Sequence, residues 1–236
     1  MPEFVLPGDS IQTRSTTLKL GPGLLKTHDA PGARASGSSG IVSTRAGTLH
    51  HDAKGVKWWI ESNAQRYVPA AQEGVIGVVS QKAGEGYRVD IGSAHAASLD
   101  GLAFEGASKR NKPTLKIGSL VYARISLAHK DMEPELQCFD AQTRKAEGYG
   151  ELKGGFMTKC SLGTARTLLL DETHYLLPLL GSVFPLEVVV GVNGRIWVKT
   201  PEPKQTIAAI RCIDLFNTRS DISVAAMRQF LGSLET

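Results

Sequence analysis

The sequence predicts a mainly β protein with an α+β C-terminal third. Glycine is abundant at 25 of 236 residues, whereas aromatic residues make up only 6%, and this composition favours turn-rich β structure over long helices. Apolar residues make up 42% and charged residues 21%, which is enough for packed cores and excludes wholesale disorder. At roughly 100–200 residues per domain, the chain is one large domain or two to three small ones.

Residues 1–66 are predicted to form an N-terminal β-rich domain, because short apolar or alternating runs are separated by turn signals. The segment Ala30–Gly40 has no large apolar side chain and is predicted to be a mobile loop. Adjacent Trp58 and Trp59 point to opposite faces of a strand, so one indole is expected to pack against another domain or a partner. The predicted strands lie at Val5–Leu6, Ile11–Leu20, Ile41–Val42 and Val56–Ile60.

Residues 67–145 alternate β-like runs with glycine-rich turns. Ala83–Gly86 suits a hairpin loop, and no long amphipathic helix interrupts the pattern. Four or five short strands in a segment of this length predict a small closed barrel of the OB type. The β-like runs are Val75–Val79, Tyr87–Ile91, Leu120–Leu127 and Leu136–Phe139.

Residues 146–236 introduce helical periodicity, and the predicted order β-α-α-β-β-α is that of a KH-type RNA-binding module. Ser161 is a candidate N-cap for the first helix, and Pro178 is predicted to interrupt the second. Ile207, Ile210 and Ile213 are predicted to form the apolar stripe of the third. The predicted elements are Gly155–Cys160, Leu162–Leu170, His174–Val183, Leu186–Val190, Arg195–Lys199 and Pro203–Phe216, followed by a terminal helix at Ser220–Leu234 with Ile222, Ala225, Ala226 and Leu231 apolar.

Five motifs are distributed over nearly the whole chain: Val5–Asp9, Ser62–Pro69, Phe104–Pro113, Lys130–Glu135 and, most specific, Gly191–Val198. Together they resemble the cap subunits of the eukaryotic RNA exosome. The resemblance implies an S1-type OB barrel at residues 67–145 followed by a degenerate KH-like domain at residues 146–236. It also implies a non-catalytic subunit that sits with other cap subunits on a ring of inactive RNase-PH-like subunits and guides single-stranded RNA into the channel. Such a hetero-oligomer is expected in the nucleus and nucleolus, and also in the cytoplasm.

The basic residues are concentrated in the first half of the chain. Residues 1–129 hold 15 basic and 10 acidic residues, whereas residues 130–236 hold 12 and 13. Within the first half, Gly106–Lys116 has four cations and no acid, so it is the main RNA-binding candidate. Tyr87, His95 and Phe104 are candidates either for base stacking or for packing. The predicted RNA-binding residues are Lys82, Arg88, Lys109, Arg110, Lys112 and Lys116.

The stretch Gly191–Gly194 contains the spacing of a KH phosphate-gripping loop, but it joins two strands instead of two helices. Asn193-Gly194 suits a tight turn, so Gly191, Asn193 and Gly194 are predicted to form a structural hairpin. The resemblance implies that this motif packs the barrel against the KH-like domain, with Trp197 buried. The segment between the two predicted helices, Leu170–Tyr175, has no glycine, so the KH-like domain is expected to bind RNA weakly.

The sequence predicts no catalytic, metal or cofactor site. The alternating acids Asp131, Glu133 and Glu135 are interpreted as a solvated loop, and His50-His51-Asp52 as a surface loop. Three widely spaced cysteines exclude a CxxC zinc ribbon and argue against a disulfide scaffold. Apolar runs such as Leu120–Ala123 stop at four residues, and the N-terminus lacks signal-peptide features, so no membrane association is expected.

Two other classes stay open from the sequence. One is a ribonuclease whose RNA-binding domains resemble those of polynucleotide phosphorylase, although that enzyme has KH before S1 and two catalytic cores that this chain lacks. The other is a free-standing translation or ribosome-assembly factor.

Overall fold

The computed structural model describes residues 3–11, 18–26, 40–52, 54–129, 131–171, 174–219 and 222–234. The chain divides into two compact units, Met1–Asn63 and Ala64–Thr236. Within the described residues, no helix is both long and apolar enough to cross a membrane.

The first unit contains two small sheets that enclose one apolar core. The four-stranded sheet has the order β1-β6-β7-β3, and the three-stranded sheet has the order β2-β5-β4. Val5, Ile11, Ile41, Leu49 and Ile60 are buried together between them. The strands are β1 (Glu3–Val5), β2 (Ser10–Ile11), β3 (Lys19–Leu20), β4 (Leu24–Lys26), β5 (Ile41–Ser43), β6 (Gly47–His51) and β7 (Lys57–Glu61).

The interpretation of His50-His51-Asp52 as a surface loop is wrong, because both histidines belong to β6. Antiparallel pairing with β7 sets His50 opposite Trp59 and His51 opposite Trp58, with ring centroids 5.8 and 4.9 Å apart. Trp58 packs against the core of the first unit, whereas the neighbouring Trp59 does not belong to that core. The predicted loop Ala30–Gly40 lies outside the described residues except for Gly40.

The second unit begins with a closed five-stranded barrel, which confirms the OB-type prediction. The strand β12 closes it by pairing with β10 in parallel and with β11 antiparallel. A short further strand, β13 (Gly150–Leu152), pairs with β11. The barrel strands are β8 (Gly74–Ala83), β9 (Gly86–Asp90), β10 (Ala97–Phe104), β11 (Leu120–Leu127) and β12 (Glu135–Cys138).

The hairpin between β8 and β9 turns at the predicted segment Ala83–Gly86, and its loop has two residues. Ala83 pairs with Gly86, and Gly84 adopts a φ of +56°, in the left-handed region that favours glycine. Side chains from all five strands fill the barrel, including the fully buried Val89, Leu99 and Ile125.

The KH-like region has the predicted order β-α-α-β-β-α. Its sheet order is β14-β16-β15, and Ser161 caps the first helix by accepting a 3.0 Å hydrogen bond from the Thr164 N–H. Pro178 does not interrupt the second helix, because it lies in the first turn, where the missing N–H has no intrahelical partner. The elements are β14 (Phe156–Lys159), α1 (Leu162–Leu170), α2 (Leu176–Val183), β15 (Glu187–Gly191), β16 (Arg195–Lys199), α3 (Pro203–Thr218) and α4 (Val224–Leu234).

The isoleucine stripe predicted for α3 is wrong. Ile207 is 53% exposed, and Ile213 is the only one of the three predicted residues that is fully buried. The helix packs on β16, and its buried face combines three small side chains with two large apolar ones. These buried residues are Ala208, Ala209, Cys212, Ile213 and Phe216. In α4 the buried residues are Met227 and Leu231, whereas Ala225 and Ala226 are exposed.

Candidate nucleic-acid interface

The basic loop, Gly106–Lys116, connects β10 to β11 on the barrel surface. Lys109 and Arg110 lie in solvent at its tip. They are the two central residues of a turn in which Ser108 and Asn111 exchange backbone hydrogen bonds of 2.9 and 3.0 Å. Within the part of the chain that the structure describes, neither cation has a carboxylate partner. Their charges are therefore available to a ligand.

The two ends of the basic loop are held differently from its tip. The Tyr87 hydroxyl donates a 3.1 Å hydrogen bond to the Pro113 carbonyl and accepts one of 3.1 Å from the Leu115 N–H. Leu115 is 6% exposed and packs into the barrel core. Lys112 approaches Glu85 with Nζ 3.5 Å from Oε2, and Lys116 is exposed at the end of the loop. The loop thus presents its cations from an anchored base.

Tyr87 anchors the basic loop and is not available for the base stacking that was one of its two predicted roles. Its side chain is only 6% exposed, so the ring is not available to a nucleobase. Phe104 likewise packs against the barrel core, whereas His95 is exposed. Sequence reasoning missed that Tyr87 anchors the basic loop, because the hydrogen bonds join residues 26 and 28 positions apart.

Arg88 lies on the outer side of β9, and Lys82 lies near the end of β8. Lys82 is exposed and has no ion pair among the described residues. Arg88 faces a groove whose charged side chains are otherwise acidic, and its Nη2 atom is 2.9 Å from Oε1 of Glu133. The carboxylates lining this groove are Glu85, Asp100, Glu133 and Glu135. Such a groove repels phosphates. Among the described residues, the predicted RNA-binding cations that have no ion pair are Lys82, Lys109, Arg110 and Lys116.

Asn193 joins the KH-like region to the barrel through three buried hydrogen bonds. Its Nδ2 group donates to the carbonyl oxygens of Ile76 and Ile91, each at 2.8 Å, and its Oδ1 atom accepts from the Ile76 N–H at 3.2 Å. Asn193 is 7% exposed, so these bonds replace water at polar groups of β8 and the end of β9. This set of contacts is called the Asn193 joint below.

Arg195 extends the joint and was not among the predicted residues. Its Nη1 atom donates to the Asp90 carbonyl at 2.6 Å, and its Nη2 atom pairs with the Asp90 carboxylate at 2.7 Å. Partial burial opposes ionisation of Asp90, but hydrogen bonds from the Gly92 N–H and from Arg195 hold the pKa of that carboxyl below its usual value. The pair therefore favours the charged form of Asp90.

The glycines and the tryptophan of the motif serve the packing around this joint. A Cβ atom on Gly191 would lie 2.8 Å from the Ile76 nitrogen, and one on Gly194 would lie 2.6 Å from the Cys160 carbonyl oxygen. Gly194 also has a φ of +72°. Trp197 is 3% exposed and donates from Nε1 to the Gly154 carbonyl at 2.9 Å, so it fixes the turn before β14.

The remaining reactive side chains are engaged in other contacts. Asp131 lies 3.9 Å from His129, whereas Glu133 pairs with Arg88. Among the described residues, no group of three or more His, Cys, Asp or Glu is arranged to hold a metal ion. Burial raises the pKa of Cys138 to about 12 and the pKa values of Cys160 and Cys212 to about 11, so these thiols stay protonated near neutral pH.

The barrel, the joint and the KH-like topology define an S1/KH protein. Family models bear this out along the chain: "Exosome complex exonuclease Rrp40 N-terminal domain" matches residues 18–66, "Exosome complex component RRP40, S1 domain" matches residues 67–150, and "KH domain" matches residues 155–204. The chain belongs to the RRP40 family of exosome complex components.

Curated relatives agree with this assignment. The chain is 45% identical over 227 residues to "Exosome complex component rrp40" of Schizosaccharomyces pombe, covering 93% of this chain and 91% of the relative. It is 42% identical over 212 residues to "Putative exosome complex component rrp40" of Dictyostelium discoideum, covering 89% and 84%. It is 36% identical over 239 residues to RRP40 of Saccharomyces cerevisiae, covering 98% and 96%. One crystal structure shares the fold with a TM-score of 0.58 at 22% identity, over 72% of this chain and 96% of its own.

Proposed function

We propose that this chain is an RNA-binding cap subunit of the RNA exosome that has no catalytic activity of its own. Relatives named exosome complex components over nearly the full length support the assembly. The observation that carries the RNA-binding role is the basic loop, whose tip cations Lys109 and Arg110 are exposed and have no carboxylate partner among the described residues.

The proposed partners are RNase-PH-like ring subunits, other cap subunits and single-stranded RNA, and degradation is performed by separate nuclease subunits. The proposed hetero-oligomer works in the nucleus and nucleolus, and also in the cytoplasm. Lys and Arg side chains on a loop follow phosphates without reading bases, which suits a subunit that guides RNA of any sequence. The Asn193 joint keeps the KH-like region fixed to the barrel. The proposed role of the KH-like region is therefore that of a scaffold for assembly.

The RNA-binding role is tested by reversing three charges, Lys109→Glu, Arg110→Glu and Lys112→Glu, in the reconstituted complex. Affinity for single-stranded RNA is expected to fall at least tenfold near physiological salt, while assembly stays intact. The slope of log affinity against log salt should decrease in magnitude by about 2, because each phosphate contact contributes about 0.7.

A matched control reverses three exposed lysines elsewhere in the second unit, Lys145→Glu, Lys153→Glu and Lys204→Glu. It makes the same change in net charge, so it separates a local phosphate contact from long-range attraction. Equal loss of affinity in the two triple variants, or no loss in either, contradicts the assignment of the basic loop.

The proposal of a non-catalytic subunit is tested with the purified chain, labelled single-stranded RNA, Mg²⁺ and phosphate. No turnover is expected. Cleavage that is abolished by Asp131→Asn and Glu133→Gln together would instead support the ribonuclease alternative. A separate affinity purification of the tagged chain tests the other alternative. If no multi-subunit nuclease is recovered with the chain, a free-standing translation or ribosome-assembly factor is supported.

A further inference from the structure

A second groove lies at one end of the barrel and shares no lining residue with the Asn193 joint. Three chain segments line it: the segment before β8, the β9–β10 connection and the β11–β12 connection. It encloses about 290 Å³, and its main side chains are Arg66, Val68, His95, His129, Met132 and Pro134. This surface is called the Met132 groove below.

Two motifs that are far apart in the sequence meet in this groove. Arg66–Pro69 come from the motif Ser62–Pro69, and Met132 and Pro134 come from the motif Lys130–Glu135; none of these lining residues belongs to the basic loop or to the Asn193 joint. Tyr67 anchors the first motif, because it is 5% exposed and its hydroxyl donates to the Glu73 carboxylate. The groove therefore has a fixed wall rather than a free loop on this side.

The groove leaves large apolar side chains in water. Val68 is 72% exposed and Met132 is 56% exposed, although Tyr67 and Ala128 of the same groove pack on the barrel core. Covering apolar surface stabilises a complex by about 25 cal/mol per Å² removed from water, so an exposed pair at the mouth of a groove marks an interaction surface.

The charge of the lining selects among occupants. Arg66 and two histidines are present, and no carboxylate lines the groove among the described residues. Among the described residues, Arg66 is the one permanent cation of this mostly apolar lining, which is a poor match for a chain of phosphates that needs several. It is a good match for a protein segment that carries one carboxylate next to an apolar side chain.

We propose that the Met132 groove receives an extended segment of a neighbouring exosome subunit. An aliphatic or aromatic side chain of that segment enters between Val68 and Met132, and an adjacent carboxylate pairs with Arg66. This inference rests on the proposed function, because it names a docking surface that the cap subunit uses in the complex.

The test combines Val68→Ser and Met132→Ser in the full chain and measures binding of the labelled chain to the complex assembled without this subunit. The dissociation constant is expected to rise at least tenfold. Arg66→Glu should also weaken binding, whereas Arg66→Lys should restore most of it. The control combines Leu170→Ser and Val224→Ser, which remove exposed apolar side chains at 78% and 42% exposure in other parts of the unit.

The outcomes separate this inference from the proposed function. If the unaltered chain fails to join the complex, the proposed function fails. If it joins and the groove variant binds within twofold of it, the docking surface is overturned while the function stands. A variant that binds the complex normally but loses RNA affinity or self-association also overturns the inference, because the occupant is then RNA or a second copy. Thermal unfolding of each variant confirms that the fold is intact.

Discussion

At the Asn193 joint, Asn193 and Arg195 are 7% and 5% exposed, whereas Lys109 and Arg110 of the basic loop lie in solvent. Asn193 makes three hydrogen bonds to backbone groups of the barrel, and Arg195 pairs with Asp90. The loop cations have no carboxylate partner among the described residues. Arg195 is therefore buried and paired, whereas Arg110 is exposed and has no carboxylate partner among the described residues.

Burial determines which property each of the two regions controls. A polar group that is buried must keep its partners, because leaving one unpaired costs about 1–3 kcal/mol. An exposed cation costs folding little and is free to bind a phosphate. Changes at the Asn193 joint should therefore alter stability, and changes in the basic loop should alter RNA binding.

Asn193→Ala is expected to have the largest effect on stability. It leaves the Ile76 N–H and the Ile91 carbonyl buried without partners, while Arg195 still donates to the Ile76 carbonyl at 3.3 Å. Two orphaned groups should cost about 3 kcal/mol in the free energy of unfolding, measured by urea titration. Hydrogen exchange at the Ile76 amide should accelerate at the same time.

The control for this change is Asn111→Ala in the basic loop. Asn111 is exposed and uses only its backbone in the Ser108 turn, so stability should change by less than about 0.5 kcal/mol. If the two alanine variants unfold at the same urea concentration, the joint does not hold the barrel and the KH-like region together.

Local patterns predicted most of the fold. Ser161 correctly predicted the start of α1, and the β-like run Leu120–Leu127 correctly predicted β11. The strand β10 was missed because Asp100 and Gly101 break its apolar run, although Asp100 points outward and Gly101 is buried where the Glu85 backbone comes close. The stripe on α3 was misassigned because periodicity does not show which of two apolar faces packs on the sheet.

The candidate site was predictable only where it depends on composition. Four cations without an acid identified the basic loop in the sequence. Its neighbours depend on contacts between distant residues, such as Arg88 with Glu133, which are 45 positions apart. The count of basic residues also includes Arg124, which is 5% exposed and donates to Gln72 and Gln137, so it adds little to the surface charge.

Tyr87→Phe tests whether the base of the basic loop behaves like the Asn193 joint. The variant keeps the ring but leaves the buried Leu115 N–H without its 3.1 Å partner, so unfolding should become easier by about 1–2 kcal/mol. RNA affinity should fall only a few-fold, because the tip cations remain. A tenfold or larger loss of RNA affinity with unchanged stability would contradict this division between base and tip.

Asp90→Asn gives the smallest effect and the one that depends on pH. The hydrogen bonds from Gly92 and Arg195 outweigh burial and lower the pKa of Asp90 in the folded state, so folding favours the ionised form. The stabilisation is therefore present above the unfolded pKa of about 3.9 and is lost as the pH falls through the lower folded value.

The Asp90 side chain is 55% exposed, so screening limits the stabilisation from its pair with Arg195 to about 0.5–1 kcal/mol. The difference in unfolding free energy between the unaltered chain and Asp90→Asn should be largest at pH 7 and should shrink below about pH 4, measured by urea titration at both values. A difference close to zero at both pH values would show that Arg195 holds the joint through its hydrogen bonds to the backbone carbonyls of Asp90 and Ile76 alone. The buried hydrogen bonds, and not the ion pair, would then account for the whole contrast with the basic loop.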